Sequence, residues 1–145
     1  MEDINEKILD AWLRISTVIN NERLVSDMTY NESLVCNILY RSQKENPDIN
    51  ITATDLCNKT RMLKSQMNRT LNNLEKRGII IRERSDIDKR QVFIKLNEKT
   101  TDTYMSQHAK ILELVDSLIE RFGKEKAMEI VNVLNLISDM AEEVM

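Results

Sequence analysis

The sequence predicts a mainly α-helical chain that contains one small β-hairpin. Apolar residues recur at helical spacing over most of the 145 residues, and only the stretch 79–96 alternates with the period of strands. The chain has two glycines and one proline, and each of these lies where a helix is expected to end. So few chain-breaking residues leave room for few loops, and the length suits a single domain spanning 1–145.

The N-terminal segment, from residue 3 to about residue 25, is predicted to be the first helix. Ile8, Trp12, Ile15 and Ile19 recur at a spacing that places them on one helical face. An apolar stripe of this kind packs into a core. We expect part of that core to come from a second subunit.

A second helix is predicted to begin at Thr29–Glu32, where Thr and Glu have the spacing of a capping box. The helix extends to about Gln43, with Leu34, Ile38 and Leu39 on its inner side. The polar residues around the single proline then form a loop.

Two short elements are predicted before the next long helix. Ile51 is placed to form a strand of one or two residues that pairs with the later hairpin. Thr52–Asp55 is a second capping box and begins a helix with Leu56 and Cys57 facing inward. Residues 60–62 form the turn that follows, although they include no glycine.

The segment 63–78 is predicted to be the second helix of a helix-turn-helix. Met67, Leu71 and Leu74 form one buried stripe along it. The outer face is long, polar and basic, and it consists of Lys64, Ser65, Gln66, Asn68, Arg69, Asn72 and Asn73. Such side chains can reach phosphates and base edges in a major groove. Taken alone, the same face is more often that of an ordinary solvated helix.

The segment after Gly78 changes that balance. Gly78 is predicted to end the helix, and residues 79–84 and 91–96 to form two strands. Between the strands lie the polar residues 85–90, which are expected to form an exposed loop. A helix-turn-helix followed by such a hairpin is a winged helix, in which the helix enters the major groove and the wing reaches the neighbouring minor groove.

Charge is distributed unevenly along the chain. The whole chain has a formal net charge of −3. Between Lys59 and Lys95, however, there are 11 Lys and Arg residues against 4 acids, and the remainder carries 10 basic and 20 acidic residues. One basic block on an acidic body is typical of a protein that binds a polyanion such as nucleic acid.

Two long helices are predicted after the hairpin, at 98–122 and 124–144, with Gly123 as the break between them. Each carries an apolar stripe, formed by Tyr104, Ile111, Leu114, Val115, Leu118 and Phe122 in the first and by Ile130, Val131, Leu134, Ile137, Met140 and Ala141 in the second. A helical hairpin alone would leave one of these stripes in water, so we expect a second copy of the chain to cover it.

The expected organisation is therefore a winged-helix lobe at about 29–97 and dimerisation helices at about 1–25 and 98–145. Homo-oligomers most often form two-fold dimers. A two-fold dimer places its two recognition helices on half-sites about one DNA turn apart, so the predicted partner is double-stranded DNA with a pseudo-palindromic operator.

Three segments carry a family resemblance: Leu74–Arg82, Asp88–Arg90 and Ile94–Leu96. Their order of Leu-Glu, Gly, an apolar pair and Arg, then Asp-x-Arg, then a strand ending in Leu resembles the MarR family of bacterial transcription regulators. The chain departs from the family pattern at Leu63, where a polar capping residue is common, and at Asn97, where Thr is frequent. Asn is itself a good helix cap, so the following helix keeps its start.

The resemblance implies a homodimeric DNA-binding transcription regulator, and we favour a repressor over an activator. It also implies dimerisation through the terminal helices, and release from DNA by a small apolar or anionic effector, whose binding residues the sequence does not identify. We expect DNA contacts from Lys64, Ser65, Gln66, Asn68, Arg69, Asn72, Asp88, Lys89 and Arg90. Within the wing, Asp88 is expected to fix Arg90 by a charge-assisted hydrogen bond.

Other classes of function find little support in the sequence. The single histidine, His108, lies in mid-helix, and two glycines are too few for a phosphate-binding loop. Cys36 and Cys57 form no CxxC pair and are interpreted as small buried hydrophobes. We therefore expect no enzyme activity, cofactor or metal.

The sequence also has no apolar run long enough to span a membrane and no signal peptide, which predicts a cytoplasmic protein without a membrane partner. The rival interpretation is a winged-helix protein-interaction module that has lost DNA binding. Such a module would be expected to lack the basic block between Lys59 and Lys95, which this chain retains.

Overall fold

The structure is a computed structural model that describes residues 3–21 and 28–144, with residues 19–21 described by their backbone alone. The side chain of Ile19, which belongs to the predicted stripe, therefore lies outside the described side chains. The predicted end of the first helix, near residue 25, lies outside the described residues. The chain divides into two compact units, residues 1–107 and residues 108–145.

The described residues form six α-helices and one β-hairpin, so the predicted fold class is confirmed. The elements in chain order are α1 (Ile4–Asn21), α2 (Tyr30–Glu45), α3 (Ala53–Thr60), α4 (Lys64–Lys76), β1 (Ile80–Arg84), β2 (Val92–Leu96), a 3-10 turn (Glu98–Thr100), α5 (Thr101–Phe122) and α6 (Lys124–Val144).

The core of the first unit lies among α2, α3, α4 and the hairpin. The predicted stripe of α4, Met67, Leu71 and Leu74, is fully buried, and burial of side chains of this size stabilises the fold by about 1.5–3 kcal/mol each. On α2 the buried face differs from the prediction. Its fully buried residues are Val35, Cys36 and Leu39, whereas Leu34 and Ile38 are only half-buried.

Of the two capping boxes predicted in this unit, the one at α2 is present in its Thr29 half and the one at α3 is complete. The hydroxyl of Thr29 accepts a hydrogen bond from the Glu32 amide at 3.1 Å. At α3 the capping box is complete, because Thr52 accepts from the Asp55 amide at 3.2 Å and Asp55 accepts from the Thr52 amide at 3.0 Å. Leu56 is fully buried, as predicted, but Cys57 is only half-buried.

The hairpin has the two predicted strands, and each begins one residue later than expected. β1 and β2 are antiparallel, with Arg82 opposite Ile94, and Ile94 and Leu96 are buried on its inner face. The expectation for Ile51 holds in part. Its carbonyl oxygen accepts a hydrogen bond from the Ile94 amide at 2.7 Å, but residue 51 is not assigned as a strand.

The terminal helices leave many apolar side chains exposed. On α1, Trp12 and Ile15 are exposed, and in the second unit so are Leu118, Leu134 and Met140. Gly123 separates α5 from α6 with a positive φ of 84°, a conformation that favours glycine. Among the described residues, no helix is long and apolar enough to cross a membrane.

Candidate nucleic-acid interface

The outer face of α4 is open to solvent. Its six predicted contact residues, Lys64, Ser65, Gln66, Asn68, Arg69 and Asn72, are all exposed. The buried side of α4 carries the apolar stripe, because a helix that packs one stripe into the core presents its other faces to solvent. Cationic groups, amides and a hydroxyl therefore lie together on one rigid element.

The turn before α4 gets its shape without a glycine. Arg61, the C-terminal cap residue that follows α3, adopts a left-handed conformation with φ 59° and ψ 19°. A left-handed conformation is uncommon for a residue with a Cβ atom. The missing glycine in residues 60–62 therefore did not prevent the predicted turn.

The first turn of α4 is capped from inside the helix. Leu63 is the residue before the helix, which begins at Lys64 and so one residue later than predicted. The Gln66 side-chain oxygen accepts a hydrogen bond from the Leu63 amide at 3.1 Å. Gln66 thus stabilises the start of α4, and its amide nitrogen is the donor that this bond leaves available.

The other end of α4 is fixed by a glycine and an ion pair. The Gly78 amide donates to the Glu75 carbonyl and the Ile79 amide to the Leu74 carbonyl, both at 2.9 Å, which is the Schellman pattern. Arg77, the residue that caps the C-terminal end of α4, donates to the Glu32 carboxylate on α2 at 2.7 Å. The recognition helix is therefore tied to the core at its C-terminal end.

Hydrogen bonds to the Ser85 hydroxyl and from the Arg84 guanidinium close the wing tip. Ser85 is buried, and its oxygen accepts hydrogen bonds from the amides of Ile87 and Asp88, both at 3.2 Å. Across the tip, the Arg84 guanidinium donates to the Lys89 carbonyl at 2.6 Å. These bonds close the loop and hold its residues in one arrangement.

The predicted pairing of Asp88 with Arg90 is present as an ion pair, but the hydrogen bond of the carboxylate goes to the Arg90 backbone. Oδ1 of Asp88 accepts from the Arg90 backbone amide at 3.0 Å and lies 3.5 Å from Nε of the guanidinium. The Arg90 side chain is nevertheless 95% exposed. Asp88 therefore fixes the backbone from which Arg90 extends, and the guanidinium keeps most of its donors for another partner. Lys89 beside it is also exposed.

Sequence reasoning missed the contact between the hairpin and the outer face of α4. Nη1 of Arg82 donates to Oδ1 of Asn72 at 2.9 Å and lies 3.4 Å from the Glu75 carboxylate. Asn72 and Glu75 are three residues apart on one helical face, a spacing that was visible in the sequence. The partner on β1 was not, because it depends on how the hairpin folds back on α4.

The groups gathered here are cations, amides and a hydroxyl, which can bind an anion and read a base. Among residues 3–21 and 28–144 there is no cluster of three His, Cys, Asp or Glu side chains that would hold a metal ion. His108, the predicted non-catalytic histidine, lies in α5 outside this lobe.

A family model described as transcriptional regulator SarA/Rot matches residues 17–106. The match covers more than half of the chain and includes α2, α3, α4 and the hairpin. The chain belongs to the SarA/Rot family of transcriptional regulators.

Individual relatives of this SarA/Rot chain are distant in sequence. The HTH-type transcriptional regulator FarR of Neisseria gonorrhoeae is 29% identical over 80 residues, which are 55% of this chain and 55% of FarR. The alignment thus spans about half the length of the curated relative that it matches.

Solved structures show the same fold. The transcriptional repressor CouR, bound to a 23-mer DNA duplex, superposes with a TM-score of 0.76 at 21% identity over 94% of this chain and 93% of CouR. PcaV of Streptomyces coelicolor, in complex with its natural ligand, gives 0.71 at 12% identity over 92% and 91% of the two chains. Both structures are less than 25% identical to the SarA/Rot chain, so they show that it shares the fold of these regulators.

Proposed function

We propose that this SarA/Rot chain is a sequence-specific DNA-binding transcription regulator that acts as a homodimer, and that it is a repressor. In this proposal α4 enters the major groove and the wing reaches the adjacent minor groove. The contacts come from Lys64, Ser65, Gln66, Asn68, Arg69, Asn72, Asp88, Lys89 and Arg90, with Asp88 acting through the backbone of Arg90. A regulator that binds the chromosome works in the cytoplasm of a bacterium.

The observation that carries the proposal is the combination of an exposed polar face on α4 with an exposed cation on a wing whose backbone is held in place. The apolar stripe of α4 is completely buried, so the helix cannot rotate its outer face away from solvent without losing that packing. The guanidinium of Arg90 is 95% exposed while its backbone is held by Asp88. A cation that extends from a fixed backbone loses less freedom on binding to a narrow minor groove than one on a flexible loop.

The rival proposal, a protein-interaction module, accounts less well for this arrangement. A wing that binds a protein surface has no particular need for a basic block, in which 11 Lys and Arg residues face 4 acids between Lys59 and Lys95. The distantly related CouR structure, which holds a DNA duplex, favours DNA as the partner of this fold.

The exposed apolar side chains of the terminal helices support the dimer. Large apolar patches on a soluble chain mark interaction sites, and α1, α5 and α6 all carry such side chains. We propose that residues 1–25 and 98–145 pair with their copies around a two-fold axis, and that residues 29–97 form the DNA-binding lobe. This arrangement presents two copies of α4 to one duplex.

We further propose that a small apolar or anionic effector releases the dimer from DNA. The support is the fold shared with PcaV, which was solved with its natural ligand. Such an effector must bind the free form of the dimer more tightly than the DNA-bound form. Thermal unfolding with a panel of aromatic carboxylates would reveal a binder as an increase in Tm.

Selection of binding sites from a random DNA pool tests the proposed function. We expect enrichment of a pseudo-palindrome whose half-sites are about one helical turn apart. A pool that shows no enrichment at low salt would overturn the proposal and favour the protein-interaction module. Enrichment of a single half-site would preserve DNA binding but refute the two-fold dimer on DNA.

A further inference from the structure

Arg82 links the wing to the base-reading face of α4. Its Nη1 atom lies 2.9 Å from Oδ1 of Asn72 and 3.4 Å from Oε1 of Glu75. Its side chain is 25% exposed, and that of Glu75 is 44% exposed. Arg82 extends from β1 opposite Ile94, on the face of the hairpin that is directed toward α4.

The chemistry of this contact determines which end of the Asn72 amide is available. A guanidinium has only donors, so the atom of Asn72 that it meets must be the oxygen. The amide is planar, and its NH2 group is therefore the part of the side chain that remains for another partner. Asn72 itself is exposed, so a bound molecule such as DNA can reach this NH2 group.

The surroundings of Asn72 are suited to a base. A shallow depression of about 350 Å³ lies between α4 and the hairpin, and it is lined by Ala53, Asn68, Asn72, Arg82, Val92 and Ile94. The depression combines an apolar floor with amide groups at one side. A planar base edge offers both kinds of surface.

We propose that Arg82 is a positioning residue that makes Asn72 an obligate hydrogen-bond donor to DNA, and that Asn72 consequently selects guanine over adenine at one position of each half-site. The inference rests on the proposed function. Asparagine that is free to rotate pairs with adenine by accepting from N6 and donating to N7. With its oxygen directed to Arg82, Asn72 turns its NH2 group, a donor, toward the base, and guanine presents two acceptors, N7 and O6, to it.

Glu75 has a supporting role in this arrangement. Its carboxylate holds the same Nη1 group that meets Asn72, which limits the positions that the long Arg82 side chain adopts. The pair is partly solvated and contributes little to folding for that reason. Its effect is on orientation.

The test compares selected sites for four proteins: the wild type, Arg82→Met, Asn72→Ala and the double variant. Methionine keeps much of the apolar stem of Arg82 and removes its donors. The matched control is Lys95→Met, which removes a hairpin cation that pairs with Glu83 at 3.5 Å and does not contact Asn72. Each protein is also titrated with two duplexes that carry guanine or adenine at the half-site position where the wild type is expected to select guanine.

We expect the wild type to prefer guanine over adenine at this position by about tenfold, as for one good base contact. Arg82→Met should reduce that preference to about threefold or less, because Asn72 regains an acceptor. Asn72→Ala should abolish the preference. In the Asn72→Ala background, Arg82→Met should have no further effect on it, whereas Lys95→Met should leave the preference intact in the wild-type background.

Several results would overturn the inference. If Asn72→Ala weakens binding to all sequences equally, Asn72 contacts a phosphate and not a base. If Asn72→Ala leaves binding unchanged, Asn72 does not contact the DNA. If Arg82→Met leaves the preference unchanged, or changes it equally in the Asn72→Ala background, Arg82 has only a structural role. If Arg82→Met does not fold, the exposed Asn72→Ala variant still decides, because an unchanged base preference refutes the inference. Absence of any selected site would instead refute the proposed function.

Discussion

Glu32 and Arg77 form an ion pair that connects the first turn of α2 to the C-terminal cap of the recognition helix. The Nη1–Oε2 distance is 2.7 Å, and the Glu32 side chain is 7% exposed against 39% for Arg77. The carboxylate is therefore the desolvated partner. A buried charge that loses its partner is costly, whereas a partly exposed arginine can return to water.

The first prediction follows from this asymmetry. Arg77→Met should destabilise the protein by about 1–3 kcal/mol, because it leaves a buried carboxylate unpaired. Glu32→Gln should cost less, since the amide oxygen can still accept from Arg77 and no buried charge remains. Urea unfolding followed by circular dichroism measures both. The control is Glu83→Gln, which breaks an exposed pair with Lys95 and should cost less than about 1 kcal/mol.

A larger loss for Glu32→Gln than for Arg77→Met would contradict this view of the ion pair. Equal losses for Arg77→Met and for the exposed Glu83→Gln control would also contradict it. In either case the pair would not be the contact that fixes the end of α4.

The second prediction concerns the pH dependence that Cys36 confers. Burial, followed by the nearby Glu32 carboxylate, raises the pKa of the Cys36 thiol from 9.0 to about 12. Between these two values the unfolded chain loses a proton that the folded chain retains. Stability should therefore fall with rising pH, and this group alone contributes about 1.4 kcal/mol per pH unit in that window.

Urea unfolding of wild type and Cys36→Ala at pH 8 and pH 10 isolates that contribution. The variant is expected to be less stable at pH 8 because a buried side chain is truncated. The difference between the two proteins should shrink at pH 10. Parallel declines in the two proteins would show that Cys36 does not titrate across unfolding. The native thiol should also resist alkylation at pH 8, because the thiolate is the reactive form.

A third prediction concerns dimerisation. Leu134 is 52% exposed on α6, so Leu134→Asp should weaken the proposed dimer by placing a charge in an apolar interface. The helices of a single chain should persist. Sedimentation equilibrium at micromolar concentration should give a dimer for wild type and a 17.0 kDa monomer for the variant. A wild-type protein that sediments as a monomer would refute the dimer, and Glu142→Asp, a matched surface change on α6, should behave as wild type.

Local periodicity was enough to predict most elements of the fold. The stripe of Met67, Leu71 and Leu74 identified α4 because helical spacing is visible in the sequence itself. Gly78 ended the helix as expected, since its positive φ of 74° is a conformation that glycine adopts without strain.

The sequence could not predict contacts between distant residues. Glu32 and Arg77 are separated by 45 positions, and the spacing of Glu32 from Thr29 suggested only a local capping role. Arg82 was visible as part of a family motif, but its contact with Asn72 depends on the direction in which β1 leaves α4. For the same reason, periodicity named Leu34 and Ile38 as inner residues of α2, whereas the tertiary packing buried Val35 and Cys36.

A fourth prediction concerns the wing. Arg90→Ala should weaken operator binding by about 1–3 kcal/mol per subunit while leaving dimerisation and helix content unchanged, because the side chain is 95% exposed. Arg90→Lys should recover only part of the loss, since an ammonium group lacks the planar fork of a guanidinium. Asp88→Ala should be milder, because it frees the Arg90 backbone without removing the cation. Fluorescence anisotropy with a labelled operator measures all three, and an Arg90→Ala variant that binds as tightly as wild type would exclude the wing as a DNA contact.

The central claim is that the outer face of α4 and the wing together bind a specific DNA duplex. The most direct measurement is a salt titration of wild-type affinity for the selected duplex and for a duplex of the same composition in scrambled order. Both affinities should fall steeply with salt, because cationic side chains displace counterions from the phosphates. The selected duplex should bind at least about a thousandfold more tightly than the scrambled duplex at physiological salt. Equal affinity for the two duplexes, or no binding to either at low salt, would show that this surface does not bind a specific DNA duplex.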